Sequence, residues 1–362
     1  MHCCHYRSMV LENSNGKTLN PASPLKISVL DQSPVAQGSS GSQALHNSID
    51  LARLADELGY YRYWVAEHHG TPGLACASPE VLIGPIAATT SRIRVGSGGV
   101  MLPHYSALKV AENFSMLSGL FLGRIDLGLG RAAGTDPRTA LALQRNRGQQ
   151  PADDFKEQMM ELLGRLSDTL PAGRFVKPGM LPGRPEVPEP WLLGSSPQSA
   201  VWAGELGLPY MFADFINPGG AAYIGLYHEH FVPSVWIDRP RVGAAVWAIS
   251  AESANEAEEL ASSSRMLFAL LHQGQLIDVP SVDVALQYAR ENAAGIQNLT
   301  SSRRAILGTS ADVRAGIEAV ARDYRAEEVM VVSIVHSHRA RRKSYELIAD
   351  AFQLRGSLAV SR

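Results

Sequence analysis

The chain has 362 residues, 45% hydrophobic and 19% charged, which is enough to bury the core of one large domain. Its formal net charge of −2 at pH 7 provides no general field for a polyanion, which argues against a nucleic-acid partner. Three cysteines, two of them adjacent, cannot form a disulfide framework, and no apolar run reaches the roughly 18 residues of a membrane span. We therefore expect a soluble, cytoplasmic protein with no membrane partner.

Residues 1–24 are predicted to be a disordered leader. Their cluster His2-Cys3-Cys4-His5 lacks the spacer that would let these side chains close one metal tetrahedron, and the polar stretch that follows offers little to bury. The folded domain is therefore predicted to span residues 25–362, and no metal site is expected.

From residue 25 onward, short β-rich runs alternate with longer amphipathic runs, which is typical of βα units and a parallel sheet. The eight predicted strands are Lys26–Leu30, Arg62–Ala66, Ile93–Gly98, Arg124–Leu129, Trp191–Gly194, Leu208–Ala213, Val242–Ile249 and Glu328–Ser333. Helices are predicted at Ser42–Gly59, Pro79–Thr90, Ala107–Ser118, Asp153–Ser167, Ser196–Gly207, Gly220–Phe231, Ser253–Leu271, Ser310–Tyr324 and Arg341–Leu354. The pattern predicts an α/β fold, a (β/α)8 TIM barrel, whose active site lies at the carboxyl ends of the strands.

Three segments depart from this alternation. Leu170–Pro190, rich in Pro and Gly, is predicted to be an irregular excursion on the active-site face. Gln273–Leu307 is predicted to be a late insertion with some helix and no clear strand, and such connections serve as lids or binding loops or are merely mobile. The basic run Arg339–Lys343 is predicted to be a solvated helix face.

Glu67-His68-His69 leaves the second strand and precedes a Gly/Pro loop. Adjacent side chains at a strand end point to opposite sides, so one histidine is expected to face the barrel mouth. General acid–base catalysis suits a side chain whose pKa lies near working pH, whereas a structural histidine or a metal ligand remains open. The spacing of a helical zinc site is absent.

Glycines at the third strand end, Gly96, Gly98 and Gly99, would let something flat or bulky approach the backbone, or would form a simple bulge. The glycine run that starts at Gly128 resembles a dinucleotide loop, but residues 134–137 prolong the loop instead of opening a helix. Arg131 within it could pair with a phosphate or with an acid.

A small polar turn follows the fifth strand. The backbone and hydroxyls of Ser195, Ser196 and Ser199 would meet at a helix N-terminus, which predicts an anion site, although an ordinary serine cap is the alternative. Together with Arg131 this turn suggests one phosphorylated cofactor. The sequence has no Gly-x-Ser-x-Gly elbow, Walker loop or paired-Cys zinc spacing, so the corresponding enzyme classes lose their main support.

Five separated motifs follow one another along the chain. They are Leu30-Asp31-Gln32-Ser33-Pro34, Ala66-Glu67-His68-His69, the run from Gly96 to Tyr105, the run from Gly123 to Arg131, and Leu193-Gly194-Ser195-Ser196. With them, the chain from about residue 25 to its C-terminus resembles the bacterial luciferase-like family of flavin-dependent monooxygenases. It most resembles the subgroup linked to secondary-metabolite tailoring and antibiotic biosynthesis, of which the mensacarcin-pathway oxygenase is one member.

The resemblance implies reduced FMN, supplied by a separate NAD(P)H-dependent flavin reductase, and O2 as co-substrate. A hydroperoxide at the flavin 4a carbon would then oxygenate an organic substrate by hydroxylation, epoxidation or Baeyer–Villiger insertion. A homodimer formed through helices near the second and third units is implied by analogy.

Residue by residue, the resemblance makes His68 the catalytic side chain and places Gly98 and Gly99 behind the isoalloxazine, where the family often has a non-proline cis peptide. The other implied cofactor contacts, several of them with the phosphate, are Glu67, Arg131, Gly194, Ser195, Ser196 and Ser199.

We expect the substrate side to be lined by His104, Tyr105, Phe215 and Asn217, although core packing would explain the aromatic residues equally well. The chain departs from the luciferases at Gly130, where they place a cysteine, and at Gly194, where they place an acidic residue. Two other functions remain open: a deazaflavin-dependent dehydrogenase on the same barrel, which would need no oxygen, and a non-catalytic flavin-binding protein.

Overall fold

The computed structural model describes residues 24–131, 136–143, 154–169, 181, 183, 186–292 and 305–357. The predicted leader, apart from residue 24, lies outside the described residues. So do most of the predicted excursion at 170–190, residues 132–135 of the glycine-rich loop, and residues 293–304 of the late insertion.

In the described residues, nine strands form one parallel sheet, and eight of them close into a barrel in the order β1-β2-β3-β4-β5-β6-β7-β9, with β9 returning to β1. The (β/α)8 prediction is confirmed. The strands are β1 Lys26–Asp31, β2 Arg62–Val65, β3 Arg94–Met101, β4 Ile125–Gly130, β5 Glu189–Gly194, β6 Tyr210–Ala213, β7 Val242–Ser250, β8 Ala305–Gly308 and β9 Glu328–Val332. The helices are α1 Gly41–Leu58, α2 Pro79–Thr89, α3 Ala107–Leu120, α4 Pro137–Leu143, α5 Phe155–Ser167, α6 Pro197–Glu205, α7 Tyr223–Glu229, α8 Ala254–His272, α9 Val282–Glu291, α10 Ser310–Tyr324, α11 His338–Ala351 and α12 Leu354–Ser357.

Strand β8 corrects the prediction for the late insertion. The run 273–307 was expected to contain no clear strand, yet its last residues begin β8, which pairs in parallel with Trp247–Ser250 of β7. The first part of β7, Gly243–Trp247, pairs with β9 inside the barrel, so one edge of this nine-residue strand has two successive neighbours while its other edge pairs with β6. The β8 sequence has three consecutive apolar residues and then Gly308, so it shows no alternation, and periodicity cannot distinguish such a short apolar run from a helical segment. Helix α9 agrees with the helix content predicted for this insertion.

Strand residues alternate between two cores. Tyr63 and Val65 of β2 belong to the cluster between the strands and the surrounding helices, whereas Trp64 and the following Ala66 belong to the cluster inside the barrel. This period of two places every second side chain on the barrel axis. The same alternation therefore tells which residues at the strand ends can reach the mouth.

Charged side chains close the amino-terminal end of the barrel. Arg62 is fully buried and contacts Asp126 at 2.6 Å, Glu189 at 3.1 Å and Glu328 at 3.1 Å. Arg94 and Arg241 add contacts to the same carboxylates, so three cations face three anions. Buried charges are tolerated when they are paired in this way. The open end is consequently the carboxyl-terminal one.

The basic run on α11 is a second correction. Arg341 was expected to lie on a solvated face, but it is 1% exposed and its Nη2 donates to Asp31 Oδ1 at 2.6 Å. Although burial acts to raise the pKa of Asp31, the Arg341 guanidinium and neighbouring hydroxyl donors hold that pKa below its ordinary value. The run therefore crosses from the buried to the exposed side of the helix.

None of the helices in the described parts of the chain is both long and apolar enough to cross a membrane.

Candidate active site

A cavity of about 270 Å³ opens at the carboxyl-terminal end of the barrel. Its inner walls come from side chains on the barrel axis, namely Leu30, Met211, Ala245 and Met330. This volume lies just below the range of roughly 300–1,000 Å³ typical of small-molecule pockets. The cavity has an apolar half near the axis and a polar half beyond β4 and β5.

Bare backbone forms one wall of the apolar half. The Gly98–Gly99 peptide bond is cis, in agreement with the expectation from the family resemblance. A Cβ atom on Gly98 would lie 2.4 Å from Leu30 Cδ1, and one on Gly99 would lie 2.8 Å from the Gly128 carbonyl oxygen. Side chains are thus sterically excluded, and a flat ring can approach this backbone closely.

The polar half begins at the turn into α6. Ser196 caps this helix, because its Oγ accepts the Ser199 N–H at 3.3 Å, while Ser199 Oγ donates to the Ser196 carbonyl at 2.8 Å and contacts Tyr210 Oη at 2.8 Å. A Cβ on Gly194 would lie 2.2 Å from Ser199 Oγ, which explains the glycine there. Ser196 and Ser199 therefore act first as a structural cap.

Two groups at this end remain available for an anion. The Ser195 hydroxyl lines the cavity and has no partner among the described residues, while the Ser195 carbonyl is held by the Asn217 side-chain amide at 2.8 Å. The Arg131 guanidinium lies 5.3 Å from the centre of the Trp202 ring and forms no ion pair in the described parts of the chain. A cation stacked on an aromatic face keeps its N–H groups free for a phosphate.

His68 lies three residues beyond the end of β2 and is not among the residues that line the cavity. Its Nδ1 is buried without a hydrogen-bond partner among the described residues. Burial, together with the neighbouring His69, lowers the pKa of His68 to about 4. At neutral pH the imidazole is therefore uncharged.

Glu67 does not line the cavity, although the family resemblance implied a cofactor contact. Its fully buried carboxylate accepts the Met101 N–H at 3.0 Å and the Tyr105 hydroxyl at 2.7 Å, and it contacts His69 Nε2 at 2.7 Å. Met101 is the last residue of β3. The Glu67 carboxylate therefore links the histidine-containing segment after β2 to β3, the strand that carries the Gly98–Gly99 peptide. Its position supports a structural role beside the site.

Of the four residues expected to line the substrate side, one lies in the cavity wall and three lie outside it. Phe215 lines the cavity and packs against Trp247 with ring centres 6.2 Å apart. His104, Tyr105 and Asn217 lie outside the cavity wall, and the Tyr105 hydroxyl, whose pKa is raised by burial and by Glu67, is bonded to that carboxylate. Trp202 was missed by sequence reasoning, although its position three residues after Ser199 on α6 was a usable signal.

In the described residues, no group of three or more His, Cys, Asp or Glu side chains is arranged to hold a metal ion.

The model of the family described as luciferase-like monooxygenase matches residues 25–327, which is most of the chain. The chain belongs to this family. The enzyme is therefore a luciferase-like monooxygenase.

Relatives of this luciferase-like monooxygenase match along nearly their whole length. It is 44% identical to the uncharacterized protein YwcH of Bacillus subtilis, covering 91% of this chain and 99% of that protein. It is 39% identical to a luciferase-like monooxygenase of Escherichia coli K12, covering 90% and 96%. The crystal structure of apo-MsnO8 is also similar, with 39% identity, a TM-score of 0.83, and coverage of 91% and 98%.

Proposed function

We propose that this luciferase-like monooxygenase is the oxygenating component of a two-component system that uses reduced FMN and O2. A separate NAD(P)H-dependent flavin reductase would supply the reduced FMN, and an organic substrate would be hydroxylated, epoxidised or oxidised by Baeyer–Villiger insertion. The observation that carries the proposal is one cavity joining the bare Gly98–Gly99 backbone to the Arg131 and Ser195 anion-binding groups. A ligand that is flat at one end and phosphorylated at the other fits both halves.

Reduced FMN would supply the electrons that activate O2. The residues of the chain would bind and orient it: Gly98 and Gly99 would lie against the ring, and Arg131 and Ser195 would hold the phosphate. In this proposal His68, uncharged at neutral pH, would be the side chain that exchanges a proton with the reacting groups, and the bond from the Met101 N–H to the Glu67 carboxylate ties the segment after β2 to β3. The apolar walls exclude water from the reacting groups.

The proposal includes a homodimer. Four apolar side chains on or next to α2 and α3 are strongly exposed, at 61–71%, and a second copy of the chain could cover them. They are Val81, Met116, Leu120 and Leu122. Light scattering should give twice the monomer mass, and a Met116→Glu/Leu120→Glu double variant should give the monomer mass.

We also infer a cytoplasmic location, where the reductase and NAD(P)H are present, and a role in tailoring secondary metabolites. These two inferences rest on cysteine usage and on the motif resemblance.

The phosphate end gives the sharpest test of the cofactor. The purified protein is titrated anaerobically with reduced FMN and, separately, with reduced riboflavin, which lacks the phosphate. Charge-assisted hydrogen bonds contribute about 1.5–3 kcal/mol, so FMN should bind roughly 10- to 100-fold more tightly. Equal affinities, or binding of a deazaflavin cofactor in place of FMN, would contradict the proposal.

A further inference from the structure

Three methionine side chains, Met101, Met211 and Met330, line the cavity at the barrel mouth. Transfer of one oxygen atom to a methionine sulfur turns a flexible apolar side chain into a polar, chiral sulfoxide. The proposed function brings reduced flavin and O2 together in this same cavity. Oxidisable sulfur is therefore part of the wall of a site in which peroxide would form.

Two of the three sulfur atoms are enclosed by protein. Met330 is fully buried inside the barrel, and Met211 is 2% exposed. A Cβ atom on Gly243 would lie 2.8 Å from Met211 Sδ and 2.4 Å from Met211 Cε, so the end of this side chain lies directly against the backbone of β7. Such close packing leaves a peroxide molecule little room to approach either sulfur.

Met101 carries the accessible sulfur. It is the last residue of β3, and Val100 before it packs in the core outside the barrel, so the Met101 side chain lies on the inward face of the strand. Met101 is only partly buried. A Cβ on Gly130 would lie 3.6 Å from Met101 Sδ, an ordinary van der Waals distance, and with glycine at position 130 no side chain covers the sulfur on that side.

Met101 also borders both halves of the cavity. It follows the Gly98–Gly99 peptide on β3 by two residues, and it pairs with Gly130 of β4, the residue before Arg131. Its backbone is fixed, because the Met101 N–H donates to the Glu67 carboxylate at 3.0 Å. A change of polarity in this side chain would therefore act close to both ends of a bound flavin.

No thiol competes for an oxidant in the described parts of the cavity. Cys76, the one cysteine in the described parts of the chain, is 2% exposed and does not line the cavity. Burial raises the pKa of its thiol to about 12, so the reactive thiolate is absent at neutral pH. The thioether of Met101 is thus the sulfur that an oxidant in the cavity meets.

We propose that Met101 is an oxidation site through which peroxide formed in the cavity lowers the affinity of the enzyme for reduced flavin. Reoxidation of reduced FMN by O2 without a substrate transfers two electrons and gives oxidised FMN and H2O2. The Met101 sulfur then takes one oxygen atom from H2O2: the O–O bond breaks, the sulfur loses two electrons, and water is released. The sulfoxide oxygen is a hydrogen-bond acceptor in an apolar wall, so it opposes binding of the ring. The inference rests on the proposed function and adds a regulation of that site.

The first experiment locates the oxidised sulfur. The full chain is loaded anaerobically with FMN that has been reduced by hydrogen over palladium, mixed with oxygenated buffer containing catalase, and digested for peptide mass spectrometry. Catalase destroys peroxide that escapes, so oxygen found on a methionine was transferred inside the protein. Over repeated cycles Met101 should be converted to the sulfoxide, whereas Met160, 56% exposed on α5, and the enclosed Met211 and Met330 should be converted at least about fivefold less. Protein cycled without FMN is the blank.

The second experiment measures the effect on cofactor binding. The protein is treated with H2O2, freed of it, and titrated anaerobically with reduced FMN. The wild type should lose about tenfold in affinity, as expected when a polar oxygen is buried without a donor, and methionine sulfoxide reductase should restore the affinity. The same treatment should change the Kd of Met101→Leu by less than about twofold, because this variant keeps the side-chain volume and has no sulfur there. Met160→Leu should lose affinity as the wild type does.

Three results would overturn the inference: Met101 left as a thioether after the reoxidation cycles, equal oxidation of Met101 and Met160, or the same loss of affinity in the wild type and Met101→Leu. Titration of untreated protein with reduced FMN separates this failure from failure of the proposed function. FMN binding with Met101 unoxidised refutes only the inference, whereas untreated protein that does not bind FMN refutes the proposed function and, with it, the source of the peroxide.

Discussion

The burial of His68 makes a quantitative prediction about stability. The native pKa is about 4, against an ordinary value of 6.5, so between these values the unfolded chain binds a proton that the native state does not bind. Stability then rises with pH across this window and falls as the solution is acidified. The two pKa values correspond to a loss of about 2 kcal/mol between pH 7 and pH 5 that is due to His68 alone.

His68→Gln removes the titrating group while keeping a polar side chain. Urea unfolding of the wild type and the variant at pH 7 and pH 5, at one ionic strength, isolates its contribution, because every other titrating group is present in both proteins. The variant should lose about 2 kcal/mol less than the wild type on acidification. His46→Gln, at an exposed position on α1, should behave as the wild type. Equal losses in the wild type and His68→Gln would refute a buried, neutral His68 and its role as a proton acceptor.

Three further substitutions test other parts of the site and the fold. Arg131→Ala should raise the Kd for reduced FMN about 10- to 100-fold and leave the Kd for reduced riboflavin unchanged in the same anaerobic titration; an equal effect on both would remove the phosphate role. Gly98→Ala places a Cβ 2.4 Å from Leu30 Cδ1, so thermal unfolding should show a loss of about 1–3 kcal/mol and titration should show weaker FMN binding; a variant as stable as the wild type would contradict the close approach. Asp126→Asn leaves the buried Arg62 with one fewer anion and should lower the free energy of unfolding in urea by about 3–5 kcal/mol. A loss of less than about 1 kcal/mol would contradict the buried charge network.

The sequence alone was sufficient for the barrel because its signals were local. Short apolar runs such as Val242–Ile249 and the amphipathic helices between them show their periods within about ten residues, and all eight predicted strands are present in the structure. Glycines such as Gly98 and Gly99 also identified a position of close backbone approach. These features depend on neighbours in the chain, which the sequence displays directly.

What the sequence could not predict depends on distant partners. Arg341 is buried because it pairs with Asp31, 310 positions away in the chain. A basic run in the sequence does not indicate such a distant partner. Glu67 carried the same motif signal as His68, yet its carboxylate is bonded to Met101 and Tyr105, whose positions only the fold reveals.

The central claim is that one cavity binds reduced FMN at Gly98–Gly99 and Arg131 and directs its reaction with O2, with His68 as the proton acceptor. The most direct measurement mixes the anaerobic complex of protein and reduced FMN with oxygenated buffer in a stopped-flow spectrometer, for the wild type and for His68→Gln. We predict that the wild type gives a reoxidation course with a protein-dependent phase absent from free FMN, and that His68→Gln binds FMN with unchanged affinity but alters the rate of that phase. Reoxidation identical to that of free FMN in the wild type, or identical courses for the two proteins, would contradict the claim.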